Sequence, residues 1–128
     1  MAGETILVVD DNAANLKLAR IVLQGAGYDV RTATDAEEAI RQLSTFTPRA
    51  ILMDIQLPGM DGLELTRRLK SDDVTKDIVI IALTAYAMKG DEERARASGC
   101  DGYVSKPIDV DALPRVIAEH LLARPATP

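Results

Sequence analysis

Short apolar runs alternate along the chain with segments whose apolar residues recur at helical spacing. The runs predict strands over 5–9, 29–33, 50–53, 78–83 and 102–105. The helical spacing predicts helices over 15–24, from residue 34 or 35 to 43, around 65–69, over 91–98 and over 109–122. The side chains expected to face the core in the second and fifth helices are Ala36, Ala39, Ile40, Leu43, Leu113, Val116, Ile117 and Leu121. The chain is therefore a series of five β-α units.

Most of the predicted strands are apolar throughout, which is typical of a sheet covered by helices on both faces. Right-handed crossovers between such strands give a doubly wound α/β fold, here with five parallel strands and five helices. A chain of 128 residues has room for one such domain, which we place at 4–123. We expect residues 124–128 to form a disordered tail.

The charge balance excludes several classes of partner. The formal net charge of -5 argues against a nucleic-acid or anionic-membrane surface, which would need clustered Lys and Arg.

Cys100 is the only cysteine, so an internal disulfide is impossible. We find no apolar stretch near the roughly 20 residues of a membrane span and no signal-peptide pattern, and we expect a cytoplasmic monomer.

Polar groups follow four of the five strands. Asp10 and Asp11 come after the first strand, Asp54 ends the third, Thr84 follows the fourth and Lys106 follows the fifth. Ligands of open α/β sheets bind beyond the carboxyl ends of the strands, so these side chains should converge at one edge. The second strand ends without such a group, as an outer strand would.

Three crowded carboxylates need a cation, since burial makes their mutual repulsion worse. The expected ligands are hard oxygens with no His or Cys nearby, which favours Mg²⁺. Three carboxylates, one ammonium and one divalent ion sum to zero charge, so a phosphoryl donor can approach. A carboxylate can also act as the nucleophile and form an aspartyl phosphate.

Four segments together resemble the receiver domain of bacterial two-component response regulators. They are VDDN at 9–12, MDIQLPGMDG at 53–62, ALTA at 82–85 and YVSKPI at 103–108. The segment 85–94, AYAMKGDEER, is especially similar to DivK-type single-domain regulators and to receiver modules of hybrid kinases. The resemblance covers nearly the whole chain and implies the flavodoxin-like strand order 2-1-3-4-5.

The resemblance also implies a role for each matching residue. Asp54 would be the phosphoacceptor, and Mg²⁺ would be held by Asp10, Asp11, Asp54 and the backbone carbonyl of Gln56. Lys106 would pair with the phosphoryl group, in a Lys106–Pro107 peptide that is cis. Thr84 and Tyr103 would form the switch. The residues beside the phosphate would be Gln56, Ala85 and Tyr86, none of which activates water at neutral pH, so we expect slow self-dephosphorylation.

We therefore predict a signalling switch rather than an enzyme. A histidine kinase or a histidine phosphotransfer protein would donate the phosphoryl group, and a downstream target protein would bind the phosphorylated form. The start and end of the chain lead us to expect a free regulator; the alternative is a receiver module of a hybrid histidine kinase within a phosphorelay.

Other functions fit less well. A haloacid-dehalogenase-type phosphatase needs a second Asp where Gln56 stands, and a flavin binder would not place Asp10 and Asp11 in a phosphate-binding loop. A structural adaptor with a degenerate site would lack one of the acids, Thr84 or Lys106.

We interpret Cys100 as a structural thiol and His120 as a surface residue. The helix over 91–98, poor in large apolar residues, is expected to be part of the output face.

Overall fold

The computed structural model describes residues 4–57, 59–84 and 89–123, without the side chains of Lys89 and Asp91. Five strands and five helices alternate strictly. In chain order they are β1 (Thr5–Val9), α1 (Ala13–Gly25), β2 (Asp29–Ala33), α2 (Ala36–Leu43), β3 (Ala50–Asp54), α3 (Gly62–Lys70), β4 (Val79–Thr84), α4 (Lys89–Ala97), β5 (Gly102–Ser105) and α5 (Ala112–Ala123). The predicted tail at 124–128 lies outside the described residues.

All strand pairs are parallel, and the sheet order is β2-β1-β3-β4-β5. This confirms the predicted fold class and strand order. Strand β3 occupies the centre of the sheet, and all five of its residues are buried. The residue that ends β3 is therefore placed between the ends of β1 and β4.

Alternating residues of the strands face two separate apolar clusters. Helices α1 and α5 cover one face, packing against side chains such as Ile6, Val8 and Leu52. Helices α2, α3 and α4 cover the other face, packing against Leu7, Ile51 and others. Because helices bury both faces, the apolar-throughout pattern of the strands is explained.

Capping side chains determine where the helices begin. Asn12 caps α1 by accepting a hydrogen bond from the amide of Asn15, so this helix starts at Ala13 and not at residue 15 as predicted. Asp35, and not Thr34, caps α2 through the amide of Glu38. Asp109 accepts hydrogen bonds from the amides of Asp111 and Ala112, so α5 begins three residues later than predicted.

Some predicted core positions differ in the structure. Ile40 is 41% exposed, so its expected place in the core was wrong, and Val116 is only half-buried. Ile78 is buried but precedes β4. Of the described side chains of α4, only Ala95 is buried, which agrees with the few apolar contacts expected of this helix.

Candidate functional site

The carboxylate of Asp54 lies at the carboxyl end of the central strand and is 2% exposed. Its Oδ1 accepts a hydrogen bond of 2.9 Å from the backbone N–H of Gln56, which fixes the turn that follows β3. Its Oδ2 accepts a hydrogen bond of 3.0 Å from Nζ of Lys106. Both oxygens of this buried group are thus oriented by the chain itself.

Asp10 follows β1 and is fully buried beside Asp54. Its amide donates to the carbonyl of Ala33, and its Oδ1 accepts from the amide of Asn12 at 2.9 Å. Oδ2 of Asp10 lies 3.3 Å from Nζ of Lys106. Among the described residues, this long ion pair with Lys106 is the polar contact of the oxygen, and no donor meets it with good hydrogen-bond geometry. A buried carboxylate oxygen without a donor is costly unless another cation binds it.

Asp11 is exposed and completes an acidic cluster with Asp10 and Asp54. One carboxylate oxygen of each residue lies within 4.8 Å of the others. Hard oxygen ligands at this spacing, one of them lacking a hydrogen-bond donor, fit a divalent cation such as Mg²⁺. The backbone N–H of Gln56 points toward Asp54. Binding of Mg²⁺ by the backbone carbonyl of Gln56 stays a prediction.

Burial and charge act against each other at this site. Burial is the main influence on Asp54 and raises the pKa of its carboxyl above the usual value, against the lowering effects of the Gln56 amide and of Lys106. Burial disfavours the charged form of Lys106, but the hydrogen bond and charge of Asp54, helped by Asp10, outweigh it and raise the pKa of the ammonium. Lys106 therefore stays protonated at neutral pH and partly neutralises the two buried acids.

Thr84 is buried at the end of β4, and its carbonyl accepts a hydrogen bond of 2.6 Å from the amide of Lys106. The Lys106–Pro107 peptide is cis, as the resemblance implied. Tyr103 is half-buried and packs against the apolar cluster that also contains Ala95 of α4. The fold thus places Thr84 beside Lys106, whereas Ala85 and Tyr86 lie outside the described residues.

Gly62, which the sequence reasoning had not singled out, packs against the backbone of Asp54. A Cβ at this position would collide with the carbonyl oxygen of Asp54 and lie 2.9 Å from Cα of Ile55. The amide of Gly62 donates to the carbonyl of Ile55 at 3.3 Å. Only a glycine lets the first turn of α3 come this close to the end of β3. The sequence signal was the Asp-Gly pair at 61–62, since Asp61 is a helix-capping residue.

Two residues outside the site were also interpreted from the sequence. Cys100 is buried, and burial is the main cause that raises the pKa of its thiol, as expected of a structural cysteine. His120 is half-buried, because its ring packs on Gly102 and its Nδ1 lies 2.9 Å from the carbonyl of Val116. His120 therefore lies at the surface with its ring partly covered.

A doubly wound sheet with buried acids and a lysine at its carboxyl edge places the chain among α/β proteins whose ligands bind beyond the carboxyl ends of the strands. Residues 6–118 match the response regulator receiver domain family. The chain is 44% identical, over 118 residues, to the polar-differentiation response regulator DivK of Brucella anthropi; the match covers 92% of this chain and 96% of that protein.

Solved structures agree with this assignment. The chemotaxis response regulator CheY4 of Vibrio cholerae superposes with a TM-score of 0.87 at 28% identity, covering 94% of this chain and 99% of that one. The receiver domain of a sensor histidine kinase from Pseudomonas aeruginosa has a TM-score of 0.85 at 35% identity, covering 94% and 98%. A magnesium ion is coordinated in the active-site cleft of that domain.

The chain belongs to the response regulator receiver domain family. Phosphorylation on an aspartate is the general function of such domains, which act as signalling switches in two-component systems. Among residues 4–57, 59–84 and 89–123, no helix is long and apolar enough to cross a membrane.

Proposed function

We propose that this chain is a single-domain response regulator that accepts a phosphoryl group on Asp54. The observation that carries the proposal is the setting of Asp54. This carboxylate ends the central strand, lies between the acidic residues after β1 and the lysine after β5, and is held by Lys106 at 3.0 Å. A donor reaching the carboxyl edge of the sheet would meet a nucleophile whose orientation is already fixed.

The nucleophile is an oxygen of Asp54, which forms a bond to phosphorus as the bond from phosphorus to the donor nitrogen or oxygen breaks. Lys106 contributes a fixed positive charge near the transferred group. Asp10, Asp11, Asp54 and the carbonyl of Gln56 would hold Mg²⁺. When bound, this ion would neutralise the acidic cluster and stabilise charge on the phosphoryl oxygens.

Signalling would follow from the neighbours of the site. Thr84 is buried beside Lys106, where its hydroxyl can bond a phosphoryl oxygen after transfer. Tyr103 lies on β5, one strand further out, and packs against the cluster that contains Ala95 of α4. Moving a helix that makes so few apolar contacts costs little free energy, so we expect α4 to be the element that moves on phosphorylation.

The proposed donors are a histidine kinase or a histidine phosphotransfer protein, and the proposed output is phosphorylation-dependent binding of a target protein. The match to nearly the full length of the DivK relative supports a free regulator. The 35% identity to the receiver domain of a sensor histidine kinase supports the second candidate, a module acting within a phosphorelay. Because phosphohistidine donors are made from cytoplasmic ATP, either role implies a cytoplasmic location.

The test is phosphorylation by acetyl phosphate with Mg²⁺, followed by intact mass. Wild type should gain one phosphoryl group, and Asp54→Asn should gain none. Asp73→Asn is the matched control, because the Asp73 side chain is 95% exposed and remote from the cluster, and it should behave as wild type. Normal incorporation in Asp54→Asn would reject Asp54 as the acceptor.

A further inference from the structure

Helix α4 makes little contact with the rest of the protein near its beginning. Of the residues described in 90–93, Gly90, Glu92 and Glu93 are all exposed. A Cβ added at Gly90 would meet nothing within 4 Å, so this part of the helix faces open space. Glu92 lies 4.0 Å from Nη2 of Arg96, but both side chains are about half-exposed, so the pair is weak. An exposed glycine also loses more backbone entropy in a helix than alanine does, which makes residues 90–93 easy to open.

The turn that follows α4, residues 98–101, is held much more firmly. Each of its four backbone N–H groups donates to a backbone carbonyl, at 3.0 Å for the first three residues and 2.7 Å for the last. The pairs are Ser98 to Arg94, Gly99 to Arg96, Cys100 to Ala95 and Asp101 to Ile80. Ser98 is 5% exposed and Cys100 is 8% exposed. Buried and hydrogen-bonded backbone opens rarely, so the 98–101 turn is the fixed end of α4.

Helix α3 holds this turn through polar contacts. Nη1 of Arg67 donates a hydrogen bond of 3.0 Å to Oγ of Ser98. Nζ of Lys70 lies 2.9 Å from Oδ2 of Asp101, an oxygen that also accepts from the backbone N–H of Ile80 at 2.9 Å. The side chains of Lys70 and Asp101 are only 16% and 20% exposed, so this ion pair is screened less than one at the surface. Releasing the turn from α3 would leave the partly buried carboxylate of Asp101 without its ammonium partner on α3, which is costly.

The same helix also packs against the middle of the turn. Gly99 has a φ of +107°, and a Cβ there would lie 2.8 Å from Cγ of Lys70. Both the backbone conformation and the close approach of Lys70 therefore favour glycine at this position. Sγ of Cys100 lies 3.9 Å from Oγ1 of Thr66, which is buried. All four residues of the 98–101 turn thus contact α3, through Thr66, Arg67 and Lys70.

The difference between the two ends of α4 determines how the helix can move. A movement of the whole helix would have to break the contacts between the 98–101 turn and α3, whereas opening of residues 90–93 breaks none of them. Proteins open locally where buried contacts are fewest. Ala95, the one buried side chain among those described in α4, lies between the two ends, so the boundary between them falls near this residue.

We propose that α4 is hinged near Ala95: residues 90–93 open and re-form locally, while the 98–101 turn stays attached to α3. A phosphoryl group on Asp54 shifts this local equilibrium, and this part of the proposal rests on the proposed function. A target protein that binds only one form of residues 90–93 then distinguishes the phosphorylated chain from the resting one. The surface that reports phosphorylation is thus the beginning of α4 and not the helix as a whole.

Local opening is tested on the full chain labelled with ¹³C and ¹⁵N, in which Cα chemical shifts measure helicity and amide exchange measures protection. At rest, residues 90–93 should show reduced helical shifts, and the amides of the 98–101 turn should be protected. Gly90→Ala should lower the ratio of open to helical forms at residues 90–93 by up to roughly fivefold, because Ala favours a helix over Gly. Gly25→Ala is the matched control, since a Cβ there also meets nothing within 4 Å, and it should leave the shifts of residues 90–93 unchanged.

The attachment to α3 is tested by Ser98→Ala, which removes the hydroxyl that Arg67 binds without changing any charge. The amides of the 98–101 turn should then exchange several-fold faster, while those of α5 keep their protection. Ser44→Ala removes a comparable hydroxyl at the end of α2, where it donates to the carbonyl of Arg41, and it should leave the 98–101 turn unchanged. Unchanged exchange in Ser98→Ala would contradict the role given to the contact with Arg67.

Beryllofluoride with Mg²⁺, which mimics the phosphoryl group, tests the coupling to Asp54. It should change the shifts of residues 90–93 and leave the 98–101 turn protected. Equal changes in both segments would show that α4 moves as a whole, and fully helical shifts at residues 90–93 at rest would show that they do not open; either result overturns the hinge. Beryllofluoride that perturbs Asp54 but not residues 90–93 would reject the coupling. If it perturbs neither, the proposed function fails, and the comparison of resting Gly90→Ala with wild type still decides the hinge.

Discussion

Lys106 donates a hydrogen bond of 3.0 Å to Oδ2 of Asp54, joining the end of the central strand to the loop after β5. The two residues are 52 positions apart in the chain, and strand order alone brings them together. This pair fixes the orientation of the proposed nucleophile and supplies the only lysine ammonium group recorded in contact with the acidic cluster among the described residues.

Lys106→Met should slow phosphorylation by acetyl phosphate by roughly 10²-fold, the size expected when one fixed donor to developing charge is removed. The pH dependence should shift too. Lys106 lowers the pKa of Asp54 through its hydrogen bond and its charge, so removing it raises that pKa further. Phosphorylation should then be lost at a higher pH on the acidic side of the profile. Initial rates between pH 4 and pH 8 measure both effects, because this range begins near the usual pKa of a carboxyl group and extends well above it.

The control for this substitution is Lys76→Gln, which removes a half-exposed lysine outside the site. Its rate and its pH profile should match wild type. An unchanged acidic limb in Lys106→Met would contradict the proposed influence of the ammonium on Asp54.

Gly62→Ala should disturb the acceptor without adding or removing any charged group. The new methyl would collide with the carbonyl of Asp54, so either β3 or the first turn of α3 must shift. We expect unfolding to become easier by about 1–3 kcal/mol and phosphorylation to slow. Gly25→Ala is the control, because nothing lies within 4 Å of a Cβ there; it should leave phosphorylation unchanged and should not make unfolding easier, since Ala favours a helical position over Gly. Urea titration and acetyl phosphate kinetics measure the two effects; wild-type behaviour of Gly62→Ala in both would disprove the packing role.

The strands and the acidic site were the features most open to prediction. Buried parallel strands are apolar on both faces, and such runs are visible in the sequence at β1, β3 and β4. The topology then brings strand ends together, so Asp10, Asp54 and Lys106 could be grouped before any distance was known. The strand order itself came from the family resemblance, since periodicity does not say which strands are neighbours.

Contacts between helices could not be predicted in this way. The hydrogen bond from Arg67 to Ser98 joins residues 31 positions apart, and it depends on how α3 and α4 lie on the sheet. The collision that excludes a side chain at Gly62 likewise depends on the packing of α3 against β3. Ile40 fits a helical stripe but lies beyond the buried face of its helix, because the stripe does not specify how wide that face is.

Magnesium should stabilise the fold as well as assist the chemistry, because it would bind the native acidic cluster and not the unfolded chain. Adding Mg²⁺ after chelation should raise Tm, and saturation at 100 times Kd would correspond to about 2.7 kcal/mol. Asp11→Asn should be more stable than wild type in chelator, because one repulsive charge is gone, and should gain less from Mg²⁺. Calorimetry measures the Tm of both proteins in chelator and in Mg²⁺. An equal increase in Tm on adding Mg²⁺ to wild type and to Asp11→Asn would show that Asp11 does not bind the metal.

Thr84→Ala should separate the chemistry from the conformational response. Thr84 is buried at the end of β4 and holds Lys106 through its backbone carbonyl, which the substitution leaves in place. The acceptor and the acidic cluster are also unchanged, so incorporation from acetyl phosphate should stay within about twofold of wild type. The response should differ, because the hydroxyl proposed to bond the phosphoryl group is absent and the proposed relay from Thr84 to Tyr103 would be interrupted. The measurement is the chemical shift of the Tyr103 ring before and after addition of beryllofluoride, a stable phosphoryl mimic. The ring should move in wild type and in Thr84→Ser, which keeps the hydroxyl, and should stay near its resting position in Thr84→Ala. If the ring moves equally in all three proteins, the signal reaches β5 by a route that does not use Thr84.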